Sequence, residues 1–257
     1  MSRVPTERFS DRVDDYVRYR PQYPEALIAT LRKQIALEPS WVIADVGSGT
    51  GISSEPFLKH GNVVFGVEPN REMRRAAGRL LARYAGFKNQ EGSAEATGLP
   101  DRSVDLVIAG QAFHWFDPAR THAEFRRILR SDGWIVLFWN SRRTDASPFL
   151  REYEELLLRH GTDYRQVRHE RVTAGLTEEF FQGNCRRLAL ANEQLLDYEG
   201  LKGRLLSSSY TPANGDPARE RMLEDLDRLF RRHAERGRVT MLYETELWIG
   251  KPGREPR

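Results

Sequence analysis

Three glycines alternate with short polar residues at the end of an apolar run, and this spacing is the strongest chemical signal in the chain. Residues 42–46 are typical of a buried strand, and Gly47, Gly49 and Gly51 follow it. Side chains at these positions would prevent a sharp turn and keep a ligand away from the backbone. The next apolar run ends at Glu68, whose carboxylate can accept hydrogen bonds from both hydroxyls of a ribose. Together these features predict a site for an adenosine cofactor.

The glycine spacing and a neighbouring acid bear on which adenosine cofactor would bind. The chain has G-x-G-x-G, whereas dinucleotide-binding proteins have G-x-G-x-x-G, whose third glycine would fall at Ile52. Asp45 precedes the loop, and its charge would repel a pyrophosphate but suit a ligand with an ammonium or sulfonium group. A nicotinamide cofactor is therefore disfavoured, although an NAD-dependent oxidoreductase stays open as an alternative.

Two further motifs follow along the chain. Residues 92–95 are Gly-Ser-Ala-Glu, and residues 105–111 are Asp-Leu-Val-Ile-Ala-Gly-Gln. The four motifs, in this order, resemble those of the class I S-adenosylmethionine-dependent methyltransferases, and the resemblance covers residues 9–140 well. It departs at residues 129–134, where the usual pattern has a proline and two glycines and this chain has Trp134 at the second glycine.

The resemblance implies a set of contacts to S-adenosylmethionine. Glu68 would bind the ribose, Glu95 would meet the adenine amine, and the Ala94 N–H would meet the adenine ring. Asn70 is a better helix cap than Glu68, which leaves the Glu68 carboxylate for the ligand. The implied cofactor-binding residues are Asp45, Gly47, Ser48, Gly49, Thr50, Gly51, Glu68, Pro69, Met73, Ser93, Ala94, Glu95, Gln111 and Arg20.

A narrower resemblance rests on three stretches rich in aromatic residues. Residues 9–16, 19–24 and 111–117 are similar to those of a subgroup of small-molecule methyltransferases, which is itself similar to the trans-aconitate methyltransferases. This resemblance implies that the N-terminal segment forms a lid over the cofactor and that the methyl acceptor is a small molecule.

Methyl transfer from a sulfonium sets the requirements on the acceptor site. The leaving group is a neutral thioether, so an ionised carboxylate acceptor needs no base, whereas a hydroxyl acceptor does.

The candidate catalytic residues are His114, since histidine titrates near neutrality, and Tyr16. His114 equally suits a histidine that packs against Trp115. Arg20, with Tyr16 and Tyr19, is a candidate clamp for a carboxylate. The candidate substrate-binding residues are Tyr19, Trp115, Asn140, Arg204, Ser208 and Tyr210.

These observations favour a methyltransferase that acts on a carboxylate or hydroxyl of a small molecule by in-line displacement. A cofactor-binding protein without catalysis is a further alternative, because methyl transfer has no obligatory catalytic residue. A protein acceptor also stays open. Nucleic acid is not expected as a partner, since the chain has no basic stripe with interleaved aromatic residues.

Composition narrows the class of protein. The chain has 257 residues, a net charge of +3 and one cysteine, so an internal disulfide is excluded and a reducing compartment is favoured. No transmembrane helix and no signal peptide are expected, which favours a cytoplasmic location. The six histidines lack metal-site spacing, so no metal is expected. Paired arginines, such as Arg142 and Arg143, are expected mostly on solvated faces.

The elements that must position these residues alternate between strand and helix. This alternation predicts an α/β fold with a doubly wound, Rossmann-like sheet. The resemblance implies seven mostly parallel strands with the last one antiparallel, an N-terminal helical lid and a helical cap. Residues 161–185 have no clear pattern. Strands are predicted at 42–46, 63–67, 87–92, 104–109, 134–139, 186–192 and 239–249, and helices at 52–60, 70–84, 118–129, 148–160, 198–206 and 217–236.

The whole chain, residues 1–257, is expected to form one methyltransferase domain. Within it we distinguish a helical lid at 1–40, a cofactor-binding core at 41–140, a substrate cap with the sixth strand at 141–236, and the last strand and tail at 237–257.

Overall fold

The computed structural model describes residues 19–162, residue 164 and residues 174–253. Its centre is a seven-stranded sheet, in which the strands stand side by side in the order third, second, first, fourth, fifth, seventh and sixth. In chain order the strands are β1 (Val42–Val46), β2 (Val63–Val67), β3 (Phe87–Gln90), β4 (Val104–Gly110), β5 (Leu129–Arg142), β6 (Cys185–Leu196) and β7 (Val239–Gly250).

The strand pairing confirms the predicted fold class. Strands β1 to β5 are parallel to one another, and β7 runs antiparallel to its neighbours β5 and β6. The apolar runs of β1, β4 and the middle of β5 explain the parallel part, because a parallel sheet buries both of its faces. The strand order reverses between β1 and β4. In open α/β sheets, ligands bind beside the carboxyl ends of the strands at such a reversal.

Most of the described helices begin at a side-chain cap. Asn70 accepts hydrogen bonds from the N–H groups of Glu72 and Met73, as predicted. Asp117 and Ser147 cap helices that open with proline, where the missing N–H costs nothing. None of the described helices combines the length and apolarity that crossing a bilayer requires. The helices are α1 (Ala26–Ile35), α2 (Glu55–His60), α3 (Arg71–Leu80), α4 (Pro118–Ile128), α5 (Pro148–His160), α6 (Ala174–Phe180), α7 (Tyr198–Leu206) and α8 (Pro217–His233).

Two apolar layers cover the sheet, and a third cluster lies under the cap. Alternate residues of a strand face opposite sides, so Val107 joins one layer and Ile108 joins the other. The third cluster packs α5, α7 and α8 against β7, with Tyr153, Leu226 and Met241 among its buried members. The predicted cap is thus packed onto the amino-terminal half of the last strand.

Several predicted bounds are wrong for identifiable reasons. Helix α2 begins at Glu55 instead of residue 52, because the glycine loop continues through turns as far as Ser54. Strand β5 begins at Leu129 instead of 134, since its register with β4 shifts between Val104 and Leu106 and takes up the intervening residues. The unassigned region contains α6. Residues 1–18 of the predicted helical lid lie outside the described residues.

A buried carboxylate ties α4 to the loop that follows β3. Glu124 accepts hydrogen bonds from the Thr97 N–H at 2.8 Å, from the Thr97 hydroxyl at 2.6 Å and from the Arg127 guanidinium at 2.7 Å. Burial raises the pKa of Glu124, but the hydrogen bonds from Arg127 and Thr97 outweigh burial and hold the pKa at about 2. The contact fixes the loop that contains residues 92–95 against the helix.

We expect Glu124→Gln to lower the free energy of unfolding at pH 7 by about 1–3 kcal/mol, the usual cost of removing a charged hydrogen-bond partner. The pKa of Glu124 in the folded protein lies below the unfolded value of 4.5. The stabilisation that Glu124 provides is therefore complete above pH 4.5 and is lost as the pH falls toward about 2. Denaturant unfolding of both proteins across this range measures it. Glu72→Gln removes an exposed acid paired with Arg75 and should change stability little. If the loss of unfolding free energy in Glu124→Gln does not depend on pH, the stabilisation does not come from the ionised Glu124 carboxylate.

Candidate active site

The glycine loop after β1 has a left-handed backbone at all three glycines. The φ angles are +70° at Gly47, +55° at Gly49 and +87° at Gly51. A Cβ on Gly47 would lie 2.6 Å from that of Ala112, and one on Gly51 would lie 2.4 Å from the Leu81 side chain. A Cβ on Gly49 would meet no atom within 4 Å. Packing therefore requires the outer glycines, whereas the central one presents its backbone to open space.

Glu68, at the end of β2, is joined to this loop. Its Oε2 accepts a hydrogen bond from the Gly49 N–H at 3.0 Å, and its Oε1 accepts one from the Asn70 N–H at 2.8 Å. The residue is only 9% exposed, and burial raises the pKa of its carboxyl. Each carboxylate oxygen keeps a further acceptor position. The predicted ribose acceptor is thus fixed beside the open face of the loop.

The segment after Glu68 is fixed by one arginine. Arg74 Nη1 donates to the carbonyl oxygens of Glu68 at 2.9 Å and Pro69 at 2.7 Å. Met73 is buried on the first turn of α3, below the Asn70 cap. The predicted cofactor residues Pro69 and Met73 therefore lie directly beside the glycine loop.

Asp45 is a fully buried carboxylate beneath the loop. Its Oδ2 accepts hydrogen bonds from the hydroxyls of Ser53 at 2.7 Å and Ser54 at 2.6 Å. Its Oδ1 has no hydrogen-bond partner among the described residues, and neither have the buried hydroxyls of Ser48 and Thr50. Burial raises the pKa of Asp45 to about 6, although the two serines oppose the shift. The loop thus holds several polar atoms that the protein itself does not satisfy.

Ser53 and Ser54 were not among the predicted site residues. They hold one oxygen of the Asp45 carboxylate, whereas the other oxygen has no hydrogen-bond partner among the described residues. Their only signal in the sequence is a pair of hydroxyl side chains between the glycine loop and the next helix.

The loop after β3 turns back on itself beside the start of α4. The Ser93 N–H donates to the carbonyl oxygen of Ala96 at 3.0 Å, and Ala94 is buried. Glu95 Oε1 accepts a hydrogen bond from the Asp117 N–H at 3.0 Å. Burial raises the pKa of Glu95, but hydrogen bonds from Asp117 and Ser93 outweigh it and lower the pKa. The predicted adenine-binding residues therefore form one ordered turn.

Gln111, at the end of β4, is joined to Asn140 on β5. It has a positive φ of +57°, and its Nε2 donates to the Asn140 carbonyl oxygen at 3.4 Å. Asn140 Oδ1 accepts from the Thr245 hydroxyl at 2.6 Å and from Asn192 Nδ2 at 3.0 Å, and Asn140 Nδ2 donates to the Gln22 carbonyl at 3.3 Å. The Asn140 side chain thus holds its neighbours in place, and a direct contact with substrate stays a prediction.

A single 3-10 turn, Phe113–Trp115, follows Gln111. Phe113 is buried, whereas Trp115 is 42% exposed. The His114 and Trp115 rings lie 4.6 Å apart between centroids. The geometry allows both predicted roles of His114, a base and a packed histidine, and leaves the Trp115 ring accessible to a small molecule.

The segment before α1 connects the cap to the central sheet. Arg20 Nη2 donates to the Ser207 carbonyl oxygen at 3.0 Å, and the ring of Tyr19 lies 2.2 Å from where a Cβ on Gly203 would stand. Tyr23 packs edge-on against Phe138 at 4.6 Å. The predicted clamp residues Arg20 and Tyr19 are therefore held against α7, while Tyr16 and residues 9–16 lie outside the described residues.

Two arginines lie buried among tyrosines in the cap. Arg204 Nε donates to the Tyr243 hydroxyl at 3.3 Å, and its Nη1 donates to the Ser208 hydroxyl at 3.1 Å. Arg142 donates to Glu154 and to the Tyr164 hydroxyl. The prediction that Arg142 lies on a solvated face is wrong, because Glu154 on the inner face of α5 supplies a buried partner for its guanidinium. The structure thus brings Arg204 and Ser208 together, with Tyr210 half-buried against Tyr164.

Within residues 19–162, 164 and 174–253, no three histidine, cysteine or acidic side chains gather as ligands of a metal ion would. Apart from Arg20, the predicted cofactor residues lie at or just after the carboxyl ends of β1 to β4. Most predicted substrate residues lie elsewhere, with Asn140 on β5 and Arg204, Ser208 and Tyr210 in the cap.

Residues 44–137 match the family described as a methyltransferase domain. An uncharacterized methyltransferase of Mycobacterium tuberculosis is 32% identical over 225 residues, which cover 88% of this chain and 86% of the relative. The chain belongs to the class I S-adenosylmethionine-dependent methyltransferases. Membership in this family agrees with the order of the four motifs and with the seven-stranded sheet.

Two solved structures resemble this methyltransferase over nearly all of its described length. One, from Anaeromyxobacter dehalogenans, is assigned to the type II methyltransferases; its TM-score is 0.68 at 25% identity, with 91% of this chain and 98% of that chain covered. The other, from Anabaena variabilis, is assigned to an antibiotic biosynthesis pathway; its TM-score is 0.60 at 26% identity, with 90% and 98% covered. The cap and the sheet are therefore both part of the shared architecture.

We expect Asp45 to make the ligand-free methyltransferase less stable as the pH rises from 4 to 7. Its pKa rises from 3.8 to about 6 on folding, so the folded protein binds more protons than the unfolded chain between these values. Since one pKa unit corresponds to about 1.4 kcal/mol, the loss through Asp45 approaches ~3 kcal/mol. Denaturant unfolding at several pH values measures it.

Asp45→Asn removes this titrating group and keeps an oxygen acceptor for Ser53 and Ser54. Burial also raises the pKa of Glu68, so only the difference between the wild type and Asp45→Asn belongs to Asp45. The variant should become the more stable protein above pH 6. Parallel stability curves for the two proteins would refute the prediction.

Proposed function

We propose that this methyltransferase transfers the methyl group of S-adenosylmethionine to a carboxylate or hydroxyl oxygen of a small molecule. One observation carries the proposal: Asp45 Oδ1 is a buried acceptor without a partner among the described residues, in the strand that leads into the glycine loop. A buried carboxylate in this position attracts a cation and repels a pyrophosphate. This favours a cofactor with a sulfonium and an ammonium over a nicotinamide dinucleotide.

The residues around the loop fit S-adenosylmethionine group by group. Glu68 would accept hydrogen bonds from the ribose hydroxyls, and the turn at Ser93, Ala94 and Glu95 would hold the adenine. Asp45 would balance the positive charge of the methionine end. The unsatisfied hydroxyls of Ser48 and Thr50 would gain partners from the ligand or from water that accompanies it.

The protein's contribution to the reaction would be mainly positioning. Bound S-adenosylmethionine supplies an electrophilic methyl group on a sulfonium, which departs as a neutral thioether. Because no leaving group needs a proton, holding the acceptor oxygen in line with the methyl carbon is the main task, and well-oriented reactants gain about 7–11 kcal/mol over free ones. Gln111 and the His114–Trp115 turn lie where they would shape that approach.

The narrower features of the proposal rest on the sequence patterns. An acceptor similar to those of the trans-aconitate methyltransferases, a one-domain organisation and a cytoplasmic location are predictions that accompany the proposed activity. A small-molecule acceptor is supported by the cap, whose helices α5, α7 and α8 pack over the acceptor side. Such a cover suits a small acceptor better than a macromolecule.

Glu68→Ala should weaken binding of S-adenosylmethionine and S-adenosylhomocysteine tenfold to a hundredfold, since hydrogen bonds to a charged acceptor contribute about 1.5–3 kcal/mol. Calorimetric titration measures the affinities, with NAD as a third ligand. Glu72→Ala, an exposed acid on the outer side of α3, is the matched control and should bind as the wild type does. Tight NAD binding without binding of the two sulfur ligands would overturn the proposed cofactor.

His114→Gln separates the two proposed acceptor types. With a hydroxyl acceptor, we expect kcat to fall by about 10²–10⁴, the range typical of lost general-base catalysis, and the rise of the wild-type rate near neutral pH to disappear. With a carboxylate acceptor, kcat should change by less than about tenfold, because no proton is removed. Single-turnover assays with methyl-labelled cofactor measure the rates of methyl transfer in the wild type and in His114→Gln. Loss of cofactor affinity in the variant would contradict a role confined to the acceptor.

A further inference from the structure

Arg204 is a buried cation that forms no ion pair with an acidic side chain of the described residues. It is 8% exposed, and its two hydrogen bonds go to neutral hydroxyls, those of Tyr243 and Ser208. No ion pair joins Arg204 to a carboxylate of the described residues. A guanidinium carries five N–H donors and stays charged at any physiological pH. Within the described part of the cap, the charge of Arg204 and its remaining N–H donors are therefore not matched by an acidic side chain.

Arg142 provides a direct comparison inside the same cluster. It is buried beside the Tyr153 ring, at 5.0 Å from the centroid, and it forms an ion pair with Glu154. Its Nη2 also donates to the Tyr164 hydroxyl at 2.6 Å. Among the described side chains, Arg204 and Arg142 thus share a cluster in which Glu154 is the carboxylate partner of Arg142. A buried charge is costly unless it is paired, so the excess cation points to a counter-ion that arrives with a ligand.

Contacts on either side place Arg204 next to the proposed acceptor site. Tyr243 belongs to the part of β7 that pairs with Arg142, at the carboxyl end of β5. Gly203 packs against Tyr19, and Arg20 donates to Ser207. Arg204 therefore lies on the side of the sheet where β4 and β5 end, which is also the side of Gln111 and the glycine loop.

The local electrostatic potential agrees with an anion site. Burial raises the pKa of Tyr210, but the positive charges of Arg204 and Arg142 outweigh burial and lower it. A guanidinium binds a carboxylate through two parallel hydrogen bonds, and a single unpaired guanidinium matches one negative charge. A carboxylate is thus the anion that this site fits.

We propose that the methyl acceptor is an organic acid that binds Arg204 through a carboxylate and receives the methyl group on a different oxygen. The inference rests on the proposed function and names its substrate class. A carboxylate held by a guanidinium has its lone pairs engaged in strong hydrogen bonds, which makes it a poor nucleophile. The methylated oxygen belongs to a second carboxylate or a hydroxyl of the same molecule. In the transfer, that oxygen forms the new O–C bond as the C–S bond breaks, and the electron pair stays on sulfur. A carboxylate oxygen carries no proton, whereas a hydroxyl gives its proton to a base, for which His114 is the candidate.

Binding to the complex with S-adenosylhomocysteine tests the proposal. The probes are succinate, malate, citrate, the uncharged succinamide and inorganic phosphate, each followed by calorimetry and thermal unfolding. We expect at least one of the three acids to bind and raise the unfolding temperature, and succinamide not to bind. Arg204→Gln should weaken acid binding at least tenfold, with Arg204→Lys in between. Arg186→Gln, at the opposite end of β6 near Trp134, is the control and should bind the acid normally.

The outcomes separate this inference from the proposed function. If S-adenosylhomocysteine binds but none of the acids does, or if Arg204→Gln binds the acid normally, the inference is overturned and the proposed function stands. Phosphate that binds more tightly than every acid would also overturn it. If S-adenosylhomocysteine itself fails to bind, the proposed function fails. With an acid that is turned over, Arg204→Gln should raise KM at least tenfold and change kcat less.

Thermal unfolding without acid tests whether Arg204 has a purely structural role. Arg204→Met should unfold at the wild-type temperature or above it, because it removes a buried charge that has no ion-pair partner. Arg142→Met should unfold at a lower temperature, since it removes the guanidinium that balances the buried charge of Glu154. An equal loss in both variants would show that Arg204 is balanced within the protein, and it would overturn the inference.

Discussion

The hydrogen bond between the Gly49 N–H and the Glu68 carboxylate joins the ends of the two strands on which the site is built. It holds the glycine loop against the end of β2, directly above the buried Asp45. The loop can approach the strand this closely only because its glycines adopt positive φ angles and carry no side chains. Two carboxylates thereby come near each other in a dry environment, and burial raises the pKa of both. The sheet fixes the positions of the two carboxylates, and a cationic ligand would lower the free-energy cost of burying their charges.

Two buried charges of opposite sign lack ion pairs with the described residues, and they lie at opposite ends of the site. Asp45 is anionic and lies under the glycine loop, whereas Arg204 is cationic and lies in the cap. A sulfonium donor and an anionic acceptor match this polarity. Each ligand would remove the free-energy cost of one buried charge that lacks an ion pair, so binding both ligands would neutralise the site. The same polarity disfavours a pyrophosphate near Asp45 and a cationic acceptor near Arg204.

The sequence predicts local features well and long-range contacts poorly, and particular residues show why. The apolar runs of β1 and β2, the Asn70 cap and the helix at Pro148–His160 all depend on neighbouring residues, and they lie where the patterns place them. Ser53 and Ser54 escaped prediction because their role depends on how the turn folds back under Asp45. The Arg142 and Glu154 pair escaped because nothing in the sequence shows that β5 ends beneath the inner face of α5.

Asn140 illustrates how such long-range contacts link the two halves of the site. Its carbonyl oxygen accepts from Gln111 on the cofactor side, while its side chain joins Thr245, Asn192 and the Gln22 carbonyl on the cap side. These four partners come from four separate segments of the chain, so a displacement of the segment at Gln22 would be felt at Gln111. The side-chain amide serves three of them because it offers both donors and acceptors in a fixed plane, and the backbone carbonyl serves Gln111. Asn140 therefore helps to hold the segment at Gln22 and strands β6 and β7 in register with Gln111, the residue proposed to shape the approach of the acceptor to the methyl group.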